Sequence, residues 1–131
     1  MRLRPAVVDA IVEHARRERP LECCGLLIGT GDEVVESHPA RNLEESAVRY
    51  RVDPVDHFKA IRVARARGLA VVGAYHSHPR TAAEASPTDI REANDPDFVH
   101  IIVSLAGAGP DVAAFRVQDG RAIQLALTID A

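Results

Sequence analysis

Apolar residues recur along this chain with two periods, and the places where the period changes divide it into helices and strands. Val8, Ile11, Val12 and Ala15 fall at helical spacing after Pro5, which predicts a first helix ended by the charged run Arg16-Arg17-Glu18-Arg19. The period then shortens. Residues 23–28 and 34–37 and the alternating Val48-Arg49-Tyr50-Arg51-Val52 read as a meander of strands, with residues 29–32 as a hairpin turn. Asp53-Pro54 opens a second helix that Gly68 closes. The apolar run 69–74 is too short for a typical helix and reads as a buried strand. Ser86-Pro87 starts a third helix, and residues 98–105, 112–117 and 123–129 read as the last strands, joined by turns at 107–110 and 119–120. The expectation is an α/β (α+β) fold, a mixed β-sheet flanked by helices, in one domain spanning residues 1–131. No repeat, low-complexity tract or linker marks a second one.

Candidate chemistry gathers at two junctions of this pattern. The strand at 69–74 runs into Tyr75-His76-Ser77-His78-Pro79, and residues two apart on a strand share a face. His76 and His78 therefore point to one side and can converge on one metal ion, with Ser77 facing the other way. Asp89 falls in the first turn of the third helix, where the helix dipole keeps a carboxylate ionised, the state a metal requires. Ser86-x-x-Asp89 also reads as a simple helix cap. Two imidazoles, one carboxylate and an open position describe a catalytic zinc site. Such a site needs a carboxylate outside the ligand set to move protons, and Glu22, between the first helix and first strand, is the candidate. An exposed glutamate in a connecting loop is the plainer account of that residue.

Composition narrows the classes. The chain has 131 residues, 47% of them hydrophobic, enough for one core without disulfides. A net charge of −3 offers no strong field for nucleic acid or anionic membrane. Arg49, Arg51, Lys59, Arg62, Arg65 and Arg67 form a local basic exception around the second helix, either a solvated face or a match for an acidic partner. No apolar run approaches the roughly 20 residues of a membrane span, and Met1-Arg2-Leu3-Arg4-Pro5 lacks the apolar core of a signal peptide, so a cytoplasmic location is expected. Cys23 and Cys24 are adjacent, so a bond between them would be strained; buried thiols are expected. His14, His38, His57 and His100 read as surface or packing residues, and residues 42–47 and 80–85 as the loops bordering a cleft.

The segment 20–29 containing Glu22, together with His76-Ser77-His78-Pro79 and Ser86-Pro87-Thr88-Asp89, resembles the motif of the JAMM, or MPN-plus, zinc metalloproteases. That resemblance implies an MPN/JAB domain of cytidine-deaminase-like architecture and one Zn2+ per chain, bound by His76, His78 and Asp89. It also implies Glu22 as general acid/base and Ser86 as a hydroxyl that stabilises the oxyanion. Small bacterial members with this beginning resemble peptidases of ubiquitin-like sulfur-carrier proteins. The implied reaction is hydrolysis of the peptide or isopeptide bond after the carrier's C-terminal tail, releasing cysteine or exposing a Gly-Gly end. The alternative is a non-catalytic MPN-type binding module with a structural metal, which would want a fourth protein ligand. A nucleobase deaminase would want a Cys-x-x-Cys pair, which this chain lacks.

Overall fold

The computed structural model describes residues 1–129, among which lie three helices and eight strands. The strands are β1 (Arg2–Leu3), β2 (Cys24–Thr30), β3 (Glu33–Ala40), β4 (Ala70–His78), β5 (Val99–Ser104), β6 (Asp111–Gln118), β7 (Arg121–Leu125) and β8 (Thr128–Ile129). The helices are α1 (Pro5–Glu18), α2 (Pro54–Ala66) and α3 (Pro87–Glu92). One mixed sheet runs in the order β7-β6-β5-β4-β2-β3-β1-β8. β4 pairs parallel with β5 and antiparallel with β2.

The sequence reading of 123–129 as one strand is corrected. β7 borders β6 at one edge of the sheet, while β8 pairs with β1 at the opposite edge. Three Cα steps of about 3.8 Å separate Leu125 from Thr128, so the edges stand within about 11 Å of each other. Eight flat strands would span roughly 34 Å at about 4.8 Å per step. The sheet must therefore curl, and its hollow takes α1: Val7, Ile11, Val12 and Ala15 pack with Leu3, Leu27, Val34, Tyr75, Ile101 and Val103, with Leu125 and Leu127 against them. Val7 leads the buried stripe rather than Val8, which is half-buried.

The other face carries α2 and α3. Only Ala60 and Ala64 of α2 are buried, and these small side chains let the helix lie close over Cys24, Leu26, Ile28 and Ala74. Asp53 Oδ1 accepts from the Val55 N–H at 2.9 Å and fixes the helix start. Ile90 and Ala93 meet Ile102, Phe115 and Val117. Cys23 and Cys24, both free, are buried on opposite faces, and burial pushes the Cys23 thiol up to about 11 and the Cys24 thiol to about 12. The expected turn at 29–32 shortens, because strand pairing continues to Thr30 and Gly31 turns with φ 55°.

A second correction concerns 48–52, which forms no strand beyond a single bridge between Asn42 and Val52. The Asn42 side chain takes the place of a partner strand: its amide donates to the carbonyls of Arg49 (3.1 Å) and Glu22 (3.0 Å), and its oxygen accepts from the N–H groups of Arg51 (3.0 Å) and Glu44 (3.0 Å). One half-buried asparagine thus uses both donors and both acceptor positions to hold a loop that alternation alone reads as extended.

Candidate active site

Strand pairing aims the two histidines. β4 lies between β2 and β5, so its backbone is bonded on both sides, and alternate residues go to opposite faces. Tyr75 and Ser77 enter the α1 side: the tyrosine hydroxyl lies 2.7 Å from His14 Nδ1, and Ser77 Oγ accepts from the Cys23 N–H at 2.8 Å. Gly25 makes room for this, since a Cβ there would collide with the Tyr75 ring. His76 and His78 go to the α2/α3 side, both buried.

Asp89 meets them from α3. Ser86 Oγ accepts from the Asp89 N–H at 3.0 Å, and Asp89 Oδ2 accepts from the Ser86 N–H at 2.9 Å, a reciprocal capping box. The same Oδ2 lies 3.3 Å from Nε2 of His76 and 3.3 Å from Nε2 of His78, and the two Nε2 atoms are 3.2 Å apart. The cap and the convergence on the histidines are therefore one arrangement. Burial would raise the Asp89 pKa, but the two imidazoles and the Ser86 N–H outweigh it and hold the carboxyl well below the usual range.

This triangle fits a metal. Ligand bonds of about 2.0–2.2 Å at tetrahedral angles set donor atoms about 3.3–3.6 Å apart, close to the three separations found. His78 Nδ1 lies 2.9 Å from the Ala82 carbonyl, which can only accept, so Nδ1 carries the proton and Nε2 turns its lone pair inward. Glu22, His76 and His78 also form a buried group whose candidate ligand atoms all lie within 4.8 Å of one another.

Glu22 is buried at 4% exposure, against the plainer expectation of a loop glutamate. Its N–H donates to the Ser46 carbonyl at 2.7 Å, its carbonyl accepts from Asn42, and its Oε1 has no hydrogen-bond partner. Burial raises its pKa to about 8; His78 pulls it down and Asp89 pushes it up. A buried carboxyl group with one oxygen left free beside two imidazoles is equipped to exchange a proton with a small molecule between them.

Two features escaped the sequence. Tyr50 stacks on His76 with ring centroids 4.3 Å apart and planes 18° from parallel, and Asn42 ties the segments carrying Tyr50 and Glu22 together. The loops expected at the cleft do border it, through Asn42 on one side and the Ala82 carbonyl on the other. Beside Asp89 opens a cavity of about 450 Å³ with Tyr50, Val52, Phe98 and His100 among its walls. His14 and His100 are buried packing residues, the latter stacked on Phe115. In the basic cluster, Arg49 pairs with Glu92 at 3.1 Å and Arg67 with Glu36 at 2.6 Å, while Lys59, Arg62 and Arg65 line a shallow groove on α2. No helix of the described residues is long and apolar enough to cross a membrane.

Known proteins share this architecture and much of the sequence. The family described as prokaryotic homologs of the JAB domain matches residues 4–118. The chain is 36% identical over 121 residues to the CysO-cysteine peptidase of Mycobacterium tuberculosis, covering 90% of this chain and 83% of that protein. To the desampylase of Haloferax volcanii it is 36% identical over 106 residues, 76% of each chain. To the probable TtuB-protein conjugate cleaving protease of Thermus thermophilus it is 34% identical over 113 residues, covering 86% of this chain and 72% of that one. Among solved structures, a protein from Desulfitobacterium hafniense superposes with a TM-score of 0.90 at 31% identity, covering 98% of this chain and 92% of that one. A JAB1/MPN domain protein from Archaeoglobus fulgidus superposes with a TM-score of 0.66 at 19% identity over 100% and 97% of the two chains, a likeness of fold. With residues 4–118 matched and relatives 36% identical along most of the chain, this protein belongs to the prokaryotic branch of the JAB domain family.

Proposed function

We propose that this chain is a zinc-dependent peptidase of the JAMM type that hydrolyses the bond after the C-terminal tail of a ubiquitin-like, sulfur-carrier protein. The observation that carries the reading is the triangle of His76, His78 and Asp89 beside the unpartnered Glu22 carboxylate. The relatives' names supply the substrate class, since they denote a CysO-cysteine peptidase, a desampylase and a protease of TtuB-protein conjugates.

His76 Nε2, His78 Nε2 and Asp89 Oδ2 would hold the ion, three protein ligands where a closed structural site has four. A zinc ion held there would supply Lewis acidity, the property that polarises a carbonyl and lowers the pKa of water towards neutrality. Glu22 takes the proton from the attacking water at Oε1 and passes it to the departing amine, which is why that oxygen is buried yet uncommitted. Ser86 Oγ already accepts from the Asp89 N–H, so its own proton is available to the oxyanion that develops on the carbonyl. The cavity beside Asp89 gives space to a residue flanking the scissile bond.

A second reading rests on the buried group of Glu22, His76 and His78. If Glu22 joins the other three donors, the metal is closed by four protein ligands and becomes a structural staple in a binding module. One variant separates the two. In the enzyme, Glu22→Gln keeps the metal and loses activity; in the staple it loses the metal. The direct test incubates zinc-loaded protein with a ubiquitin-like carrier whose Gly-Gly tail is extended by cysteine or by an isopeptide-linked lysine, and reads intact mass. Cleavage after Gly-Gly by the parent and not by Glu22→Gln is expected; uncut extensions of both kinds would overturn the assignment.

A further inference from the structure

The two histidines are anchored differently. His78 donates from Nδ1 to the Ala82 carbonyl at 2.9 Å, the usual way of fixing the ring and tautomer of a metal ligand. His76 has no such bond, because its Nδ1 is buried and unpartnered. Its ring lies instead under Tyr50, with centroids 4.3 Å apart and planes inclined by 18°. Tyr50 does not sit there by chance of a mobile loop. Asn42 bonds the carbonyl of Arg49 and the N–H of Arg51, the residues on either side of it, and the Leu43 N–H donates to the Arg51 carbonyl at 2.9 Å. The tyrosine thus belongs to a clamped segment, and the clamp's fourth bond goes to the Glu22 carbonyl.

We infer that Tyr50 is a positioning residue for His76: its stacked face holds the plane of that ring, as the Ala82 bond holds the ring of His78. Stacking fixes the plane of an imidazole but makes no claim on either nitrogen, so Nε2 stays directed at the histidine and carboxylate opposite. Without the tyrosine, the His76 ring would turn about its side-chain bonds, with nothing bonded to Nδ1 to oppose it. This inference rests on the metal-site reading above and concerns how tightly the site is held.

The test measures zinc affinity by competition with a chromophoric chelator for the parent, Tyr50→Phe, Tyr50→Ala and the His76→Ala/His78→Ala control. Thermal melting of each metal-free protein is recorded alongside. Zinc binding by the parent and its loss in the control address the site itself; failure there sinks the metal reading before Tyr50 enters. Given a working site, Tyr50→Phe keeps the flat face and holds the parent affinity within about threefold, while Tyr50→Ala weakens it about tenfold, at the lower end for groups that orient a ligand from outside. Should Tyr50→Ala lose its cooperative melt, Tyr50→Leu, which keeps apolar bulk but no flat face, takes its place. Parent affinity in the Ala or Leu variant would overturn the inference. So would equal weakening of Phe and Ala, which would assign the effect to the hydroxyl instead.

Discussion

Strand β4 presents polar side chains to both faces of the sheet, and the two faces treat them in opposite ways. On the α1 side the Tyr75 hydroxyl is paired with His14 and Ser77 Oγ with the Cys23 N–H, so their hydrogen-bonding capacity serves the fold. On the α2/α3 side, His76 Nδ1, next along the strand from Tyr75, is buried without a partner, as are Glu22 Oε1 and His100 Nε2 on neighbouring segments. Buried polar atoms are nearly always paired, since leaving one bare costs about 1–3 kcal/mol. A single strand therefore separates a core whose polar groups are paired from a face on which several buried polar atoms are not.

Glu22→Gln should break this contrast most severely. The amide has nearly the same shape but cannot accept the proton, so cleavage should slow by roughly 10² to 10⁴, measured on a zinc-loaded protein with unchanged metal content. Asp89→Ala comes next. It removes one corner of the triangle and half of the capping box, and zinc affinity by chelator competition should fall by about a hundredfold or more. An affinity equal to the parent's would leave Asp89 as a helix cap alone.

The pH dependence of stability gives a smaller effect on the same face. Burial, with the His76 charge adding to it, lowers the His100 pKa to about 4, against Asp89 and Asp95, which raise it. The unfolded chain therefore takes up a proton near pH 6.5 that the folded chain refuses. This contribution to stability is complete above about 6.5 and is lost as pH falls towards 4, amounting to about 3 kcal/mol. Urea unfolding of the metal-free protein across that window should show it, and His100→Phe, which can still stack on Phe115, should make the slope shallower, with His14 and His76, also lowered by burial, supplying the remainder. An identical slope in the variant would remove His100 as the source. On the opposite face, Tyr75→Phe deletes one buried hydrogen bond and should cost about 1–2 kcal/mol in unfolding free energy while leaving cleavage within about twofold. A large loss of activity there would erase the distinction between the faces.

Local signals made much of this legible in the chain itself. Helix starts announced themselves by Asp53-Pro54 and Ser86-Pro87, and both caps form as the residues suggest. The strand period put His76 and His78 on one face, which the sheet bears out by pairing β4 on both sides. What stayed hidden depends on contacts between distant residues. Alternation at 48–52 mimics a strand because it cannot reveal that Asn42 occupies the backbone groups a neighbouring strand would use. Nothing local tells that Tyr50 lies on His76, or that the chain crosses from one sheet edge to the other between Leu125 and Thr128. The two-residue β1 offers too little pattern to read, yet it joins β3 to the edge strand β8.

The central claim is that His76, His78 and Asp89 hold the metal while Glu22 stays outside its ligand set. Zinc content by native mass spectrometry tests it directly, on the parent, Glu22→Gln and His76→Ala/His78→Ala. One ion per chain in the parent and in Glu22→Gln, with none in the double variant, is the predicted result. Zinc lost from Glu22→Gln, or kept by the double variant, would contradict it.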